Sequence, residues 1–224
     1  HHGRPGAPSA LPLLDPEGAL WTRLRSRTLG CVVFSPNEVV SPGVVVHIGA
    51  NRWAIGEPSG EKTARVQAVV DLFNNSGLSA EIPADIRADI WRKLMGNAAG
   101  NSLGALTRLS HYEIASDTDI RRVAVGIMSE TLEVAAALGW DLRQEIDVEK
   151  HAGRATPGPA STASMLQDVL RGRSVEVEAH LGQTQAFGRE AGVATPTIDT
   201  VLPLLRGLDR SLRALAALPP SLRA

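Results

Sequence analysis

The sequence predicts a short α/β segment followed by an all-α domain. Three observations carry this reading. β-Branched runs separated by turn residues occupy the chain up to residue 82, strand signals fade from Pro83 onward, and helical periodicity continues from there.

The runs LGCVVF (29–34) and GVVVHIG (43–49) are bounded by Ser35-Pro36-Asn37 and Ser41-Pro42-Gly43. Such residues terminate strands by favouring turns. Asn51-Arg52 then turns into a short strand, WAIG (53–56). Between Glu61 and Asn75, Val66, Val69, Val70 and Phe73 recur at helical spacing, and Ser76-Gly77 supplies a stop. LSAEI (78–82) closes the segment as one more strand. This β-β-β-α-β order suits the closing part of an α/β domain rather than a whole one. Two domains follow, 1–82 and 83–224.

The second domain begins with a helix over about 84–107, carrying Ile86, Ile90 and Leu94 as an apolar stripe. A second helix starts near Ser116, where Ser116 and Asp119 have capping-box spacing, and ends at Gly139. A weaker helix spans about 143–151, TPGPAS (156–161) is a loop, and Met165–Arg171 is helical. Val175 to Ala191 reads as a helix stopped by Gly192. Thr195-Pro196 opens the last helix, which Pro203 should kink, and LPPSLRA should fray. The N-terminal HHGRPGAPSALPLLDPEG reads as Pro/Gly-rich loop without the apolar core of a signal peptide.

Composition narrows the function. The net charge of -1 arises from interspersed charges, so neither nucleic acid nor an anionic membrane is an expected partner. No apolar run approaches the length of a membrane span. Cys31 stands alone, which rules out an intramolecular disulfide and suits a reducing, cytoplasmic setting; it reads as a small buried strand residue. The sequence holds no G-x-G-x-x-G, no G-x-x-x-x-G-K-[ST], no zinc-spaced Cys/His cluster and no G-x-S-x-G. No metal site is therefore expected.

Two stretches carry chemistry. In WRKLMGNAAGNS (91–102), Lys93, Asn97 and Asn101 fall on one face of a helix, and their flanking residues are apolar or small through about two turns. A solvated face with a snorkelling lysine is the plain alternative. Gly96 and Gly100 each cost about 1 kcal/mol relative to alanine in a helix, which suggests close approach by a backbone or a ligand. The second stretch runs from Ser161 to Glu178. Ser164 sits at a helix start, where it can cap the helix or hold a carboxylate. Glu176 opens the next helix, complementing its dipole.

Together these stretches resemble the ketopantoate reductase (2-dehydropantoate 2-reductase) family. WRKLMGNAAGNSLGAL (91–106) is similar to its Lys-Leu-x-x-Asn-x-x-x-Asn-x-x-x-Ala-Leu signature, and SMLQDVLRGRSVEVEAHLG (164–182) to its Ser-Met-Leu-Gln-Asp…Glu-x-(Asp/Glu) block. GREAGVATPTIDTVLPLL (188–205) resembles its ending, and residues 30–60 the segment after its nucleotide-binding core. The resemblance covers about residues 15–206. It implies a remnant of a Rossmann-type domain over 1–82, followed by a helical substrate domain like the C-terminal bundle of 6-phosphogluconate dehydrogenase. It also implies an NADPH-dependent reduction of 2-dehydropantoate, or a related branched 2-oxo acid, in pantothenate biosynthesis. By the same resemblance Lys93 and Glu176 are catalytic. Lys93 protonates the C2 oxygen, and Glu176 engages the substrate hydroxyl and orients the lysine. Asn97, Asn101 and Ser164 bind substrate, Ser164 at its carboxylate.

The sequence departs from the family in three places. The glycine-rich cofactor turn is absent from these residues. His111 stands where a further substrate asparagine is expected, and Thr162 where a basic residue is usual. A rival reading is a non-catalytic helical module kept for dimerisation or ligand binding. The unpaired edge of a partial sheet makes a homodimer the expected assembly.

Overall fold

The chain was analysed as a computed structural model, which describes residues 11, 13–24, 26–155, 157 and 162–218, the Glu38 side chain excepted. The expected 156–161 loop and 218–224 tail fall almost wholly outside the described residues. The described residues form two compact units, one comprising Asp15–Lys93 and the other the 11–14 segment with the chain from Leu94 onward.

The first unit holds α1 (Ala19–Leu24), β1 (Gly30–Phe34), β2 (Asn37–Ser41), β3 (Val44–His47), β4 (Arg52–Gly56), α2 (Ala64–Asn75) and β5 (Ser79–Glu81). To these it adds the first turns of α3 (Ile86–Thr107). β4 is the centre of a three-stranded sheet, antiparallel to β1 and parallel to β5. Gly30 faces Gly56 across the β1–β4 ladder, and a Cβ on either would come within 2.7 or 2.8 Å of the Ile86 side chain. The missing side chains let the start of α3 lie directly on the sheet, where Ile86 joins Val32 and Ala54 in one buried cluster. On the other side Ile55 packs with Val66 and Val70 of α2, and the Trp53 and Phe73 rings meet edge to face.

β2 was not expected. Its five residues, NEVVS, lie between the two Ser-Pro turn signals, yet they pair with β3 as an antiparallel hairpin with a register shift between Val39 and Ser41. Its valines are exposed, Val39 at 62% and Val45 at 60%. Cys31 is exposed as well, because β1 turns Val32 inward. α1 was also missed, its six residues being bounded by an Asp15 carboxylate that accepts from the Leu20 and Trp21 amides.

The second unit contains α3 from Leu94, α4 (His111–Ser116), α5 (Thr118–Ala137), α6 (Val148–Ala152), α7 (Ser164–Leu170), a π-helical turn (Glu178–Gly182), α8 (Gln183–Ala191) and α9 (Pro196–Ala217). The helix expected from near Ser116 to Gly139 is α5, and α4 is an additional helix before it. Ser110 and Glu113 form the capping box of α4, and the Asp117 side chain caps α5 by accepting from Asp119 and Ile120. The core is made by Met95, Ile127, Leu132, Met165, Leu181, Ile198, Leu202 and Leu205. α9 docks where α5 lacks a side chain: a Cβ on Gly126 would lie 2.7 Å from Thr197 Oγ1. Glu130 of α5 then accepts from the Thr197 and Ile198 amides, satisfying two donors at the start of α9. Pro203 lies within α9 on its exposed side without ending the helix.

Candidate active site

α3 is apolar around most of its circumference, and its buried face differs from the expected stripe. Trp91, Met95, Ala98 and Ala99 are buried, whereas Ile90 is 44% exposed. Asp85 starts the helix by accepting from the Arg87 amide.

Lys93 ends the part of α3 that belongs to the first unit. It is half-buried, its Nζ donates to the Val33 carbonyl at 2.5 Å, and it stands 5.5 Å from the centre of the Phe34 ring. Burial lowers its pKa below 10.5, with the nearby Cys31 opposing that shift. Partial desolvation pushes the Cys31 thiol up, opposed by the Lys93 charge. One ammonium proton is thus held by a backbone carbonyl, while depressed basicity makes the group a better acid.

Asn97 and Asn101 follow on the same helix, within the second unit. Asn97 is half-buried and Asn101 only 4% exposed, so this is not a solvated face. Among the described residues neither carboxamide has a hydrogen-bond partner. Their polar atoms are thus available to a polar ligand.

The glycines have a specific cause. Gly96, Gly100 and Gly104 line the strip of α3 beside the asparagines, and a Cβ on each would meet a different neighbour. On Gly96 it would sit 3.4 Å from His151 Nε2, and on Gly100 only 2.6 Å from His111 Nε2. On Gly104 it would lie 3.3 Å from the Leu109 carbonyl and 3.4 Å from Ala163. Imidazole rings and the start of α7, not a ligand, occupy this strip. Burial lowers the pKa of His111 and of His151, the latter with help from Arg154, so both rings favour the neutral form.

Ser164 is the first residue of α7, and its N-cap is Ala163, which gives no side-chain cap. The plain capping role is therefore vacant, and the exposed Ser164 hydroxyl has no partner among the described residues. Ala163 packs on Gly104, which sets Ser164 next to the C-terminal part of α3.

Glu176 departs from expectation. It does not open a helix: the Val177 amide donates to the Val175 carbonyl at 3.0 Å, making Glu176 the central residue of a three-residue turn. The helix starts at Glu178, as a π-turn. Glu176 is exposed between two buried valines and shares a cavity of about 470 Å³ with Val175, Glu178, Arg206, Asp209 and Arg210. Asn97, Asn101 and Ser164 are not among the described residues lining that cavity. Within the second unit, then, Ser164 is brought beside α3, and Glu176 stands on another wall. Glu178, Arg206 and Asp209 were not singled out from sequence. Glu178 was visible within the 164–182 block, but nothing in the spacing ties it to an arginine on α9.

The described residues do not form a cradle for a nucleotide diphosphate. The turn from β4 into α2 contains one glycine, Gly60, and the start of α2 is already engaged by an acid. The Thr63 side chain caps Val66 and donates to Glu57, and Arg65 grips the same carboxylate with two nitrogens. That pairing holds the Glu57 carboxyl below its usual range, and a second anion is disfavoured there.

The described residues thus combine a small α/β sheet with a set of helices, and a lysine and two asparagines lie along the first long helix. Residues 85–209 match the family described as Ketopantoate reductase PanE/ApbA C terminal. A 2-dehydropantoate 2-reductase of Mesorhizobium japonicum is 38% identical over 92% of this chain and 63% of its own length. A crystal structure from Ralstonia solanacearum MolK2, provisionally assigned as a ketopantoate reductase, superposes with a TM-score of 0.82 at 30% identity, covering 94% of this chain and 64% of that one. D-mandelate dehydrogenase, solved with NADH, shares the fold at 24% identity and a TM-score of 0.73, over 82% of this chain and 62% of that one. The chain belongs to the ketopantoate reductase (PanE/ApbA) family, and it spans 63% of the length of the Mesorhizobium relative. Among the described residues no helix is long and apolar enough to cross a membrane.

Proposed function

We propose that this chain supplies the proton donor and the substrate-binding face of an NADPH-dependent reductase that converts 2-dehydropantoate, or a related branched 2-oxo acid, to its 2-hydroxy acid. Hydride is the cofactor's contribution. The steps assigned to this chain concern the proton and the substrate.

Lys93 Nζ protonates the C2 oxygen as it gains charge, and its positive charge stabilises the developing alkoxide. Asn97 and Asn101 bind the polar groups of the substrate. Ser164, with its free hydroxyl at the start of α7, holds the carboxylate, and Glu176 accepts from the substrate hydroxyl. The division at 82/83, with 83–224 as the substrate domain, belongs to this reading, as does a cytoplasmic homodimer. The observation that carries it is the α3 face. A lysine of lowered pKa is followed by two carboxamides that have no hydrogen-bond partner among the described residues.

A substrate panel tests the reading. Isothermal calorimetry on the 224-residue chain should detect pantoate, and should detect it more strongly than unbranched 2-hydroxy acids. Absence of pantoate binding would leave the non-catalytic module as the better account.

A further inference from the structure

Glu176 is exposed and makes no hydrogen bond among the described residues, yet the backbone that carries it is tied down on both sides. On one side the Val175 amide donates to Asp209 Oδ1 at 2.9 Å, while Asp209 Oδ2 accepts from Arg213 Nε at 2.7 Å. On the other, Arg206 of α9 grips Glu178 with two parallel bonds of 2.7 Å, Nε to Oε1 and its terminal nitrogen to Oε2. Val175 and Val177, each about 5% exposed or less, anchor the turn between these ties.

The second tie shapes the backbone as well. Glu178 opens the π-turn and folds back over Gly182, where a Cβ would lie within van der Waals overlap of its carboxylate. Single π-turns at the edge of or within α-helices are rare and frequently occur at functional positions. Here the turn lets Glu178 reach Arg206 while Glu176, two residues earlier, projects into the cavity they share. Glu178 and Arg206 are each about 40% exposed along the cavity, the Asp209 side chain is 15% exposed, and all three act on one short segment.

We propose that Asp209 and the Glu178–Arg206 pair are positioning residues that fix the three-residue turn at Glu176 and so aim its carboxylate. This rests on the reading of Glu176 as the acceptor for the substrate hydroxyl. α9, which carries none of the family's quoted site residues, thereby controls one of them. A bidentate arginine–carboxylate pair suits the task because its geometry is planar and fixed.

The test is a double-mutant cycle on pantoate binding by the 224-residue chain, read by calorimetry, with amide hydrogen exchange at Val175 as a second readout. Asp209→Ala should weaken pantoate about tenfold and speed exchange at Val175. Asp209→Asn, which keeps the acceptor, should restore both. In the Glu176→Ala background Asp209→Ala should cost nothing further, because residues acting through one group are not additive. Should Asp209→Ala fail to fold, Arg206→Lys takes its place: it keeps the charge without the parallel bonds and should weaken pantoate only when Glu176 is present. Wild-type affinity in these variants, or an equal loss in both backgrounds, overturns the positioning role. If Glu176→Ala itself binds pantoate as wild type does, the reading of Glu176 fails and the positioning role falls with it.

Discussion

At the scale of single residues, the proposed chemistry rests on side chains that have few partners among the described residues. Among the described residues Asn101 and Glu176 make no hydrogen bond or ion pair, and Ser164 begins a helix without capping it. Lys93 is the exception, tied to Val33 by one proton and left with two. Its lowered pKa sets a pH dependence. A general acid works while protonated, so kcat should be level near neutrality and fall at alkaline pH, with a midpoint below 10.5. A pH–rate profile checks this, and Lys93→Arg should move the falling limb upward. Asn101→Leu should weaken pantoate at least tenfold, by about 1.4 kcal/mol or more, while leaving the melting temperature close to that of wild type. Paired thermal melts and calorimetry read both effects. The positions of these residues were legible in sequence, because a period near four on an apolar helix is a direct consequence of helical geometry. Their surroundings were not. The lowered pKa of Lys93 depends on burial near Phe34 and Val33, which are distant in sequence.

At the scale of elements, α3 is defined as much by what it lacks as by what it carries. Its glycines at 96, 100 and 104 admit His151, His111 and the start of α7, which explains why a good helix former would be harmful there. Gly100→Ala gains intrinsic helix propensity, but its Cβ meets the His111 ring at 2.6 Å. We expect a net loss of about 1–3 kcal/mol from overpacking, measured by chemical denaturation. Gly100→Ala combined with His111→Ala should recover part of it. The close approach was anticipated from the glycines, but histidine rings as the approaching groups were not. The failures at this scale share a cause. The capping box assigned to Ser116 and Asp119 is instead the Asp117 cap of α5, α4 with its Ser110 cap was missed, and the helix assigned from Val175 missed a turn held by long-range bonds to α9. Local propensity cannot register a partner dozens of residues away.

At the scale of the whole molecule, the order of sheet remnant and helical domain followed from hydrophobic periodicity, and the family from four motif blocks in sequence order. The hairpin β2–β3 escaped because its strands are short and lie between strong turn signals. His111 and His151 also set the behaviour of the fold in acid. Their folded pKa values lie below 6.5, so as pH falls through 6.5 the unfolded chain takes up protons first and stability drops. Denaturation midpoints should be constant above pH 7 and decline below about 6.5, and His111→Gln should flatten part of that decline.

The central claim is that α3 presents the proton donor for reduction of a 2-oxo acid. Its most direct test is the rate of NADPH oxidation with 2-dehydropantoate, comparing wild type with Lys93→Ala in a chain that includes the cofactor-binding turn. The account predicts that kcat falls at least about 100-fold, while the affinity for pantoate changes far less. Equal turnover by the two proteins would contradict it.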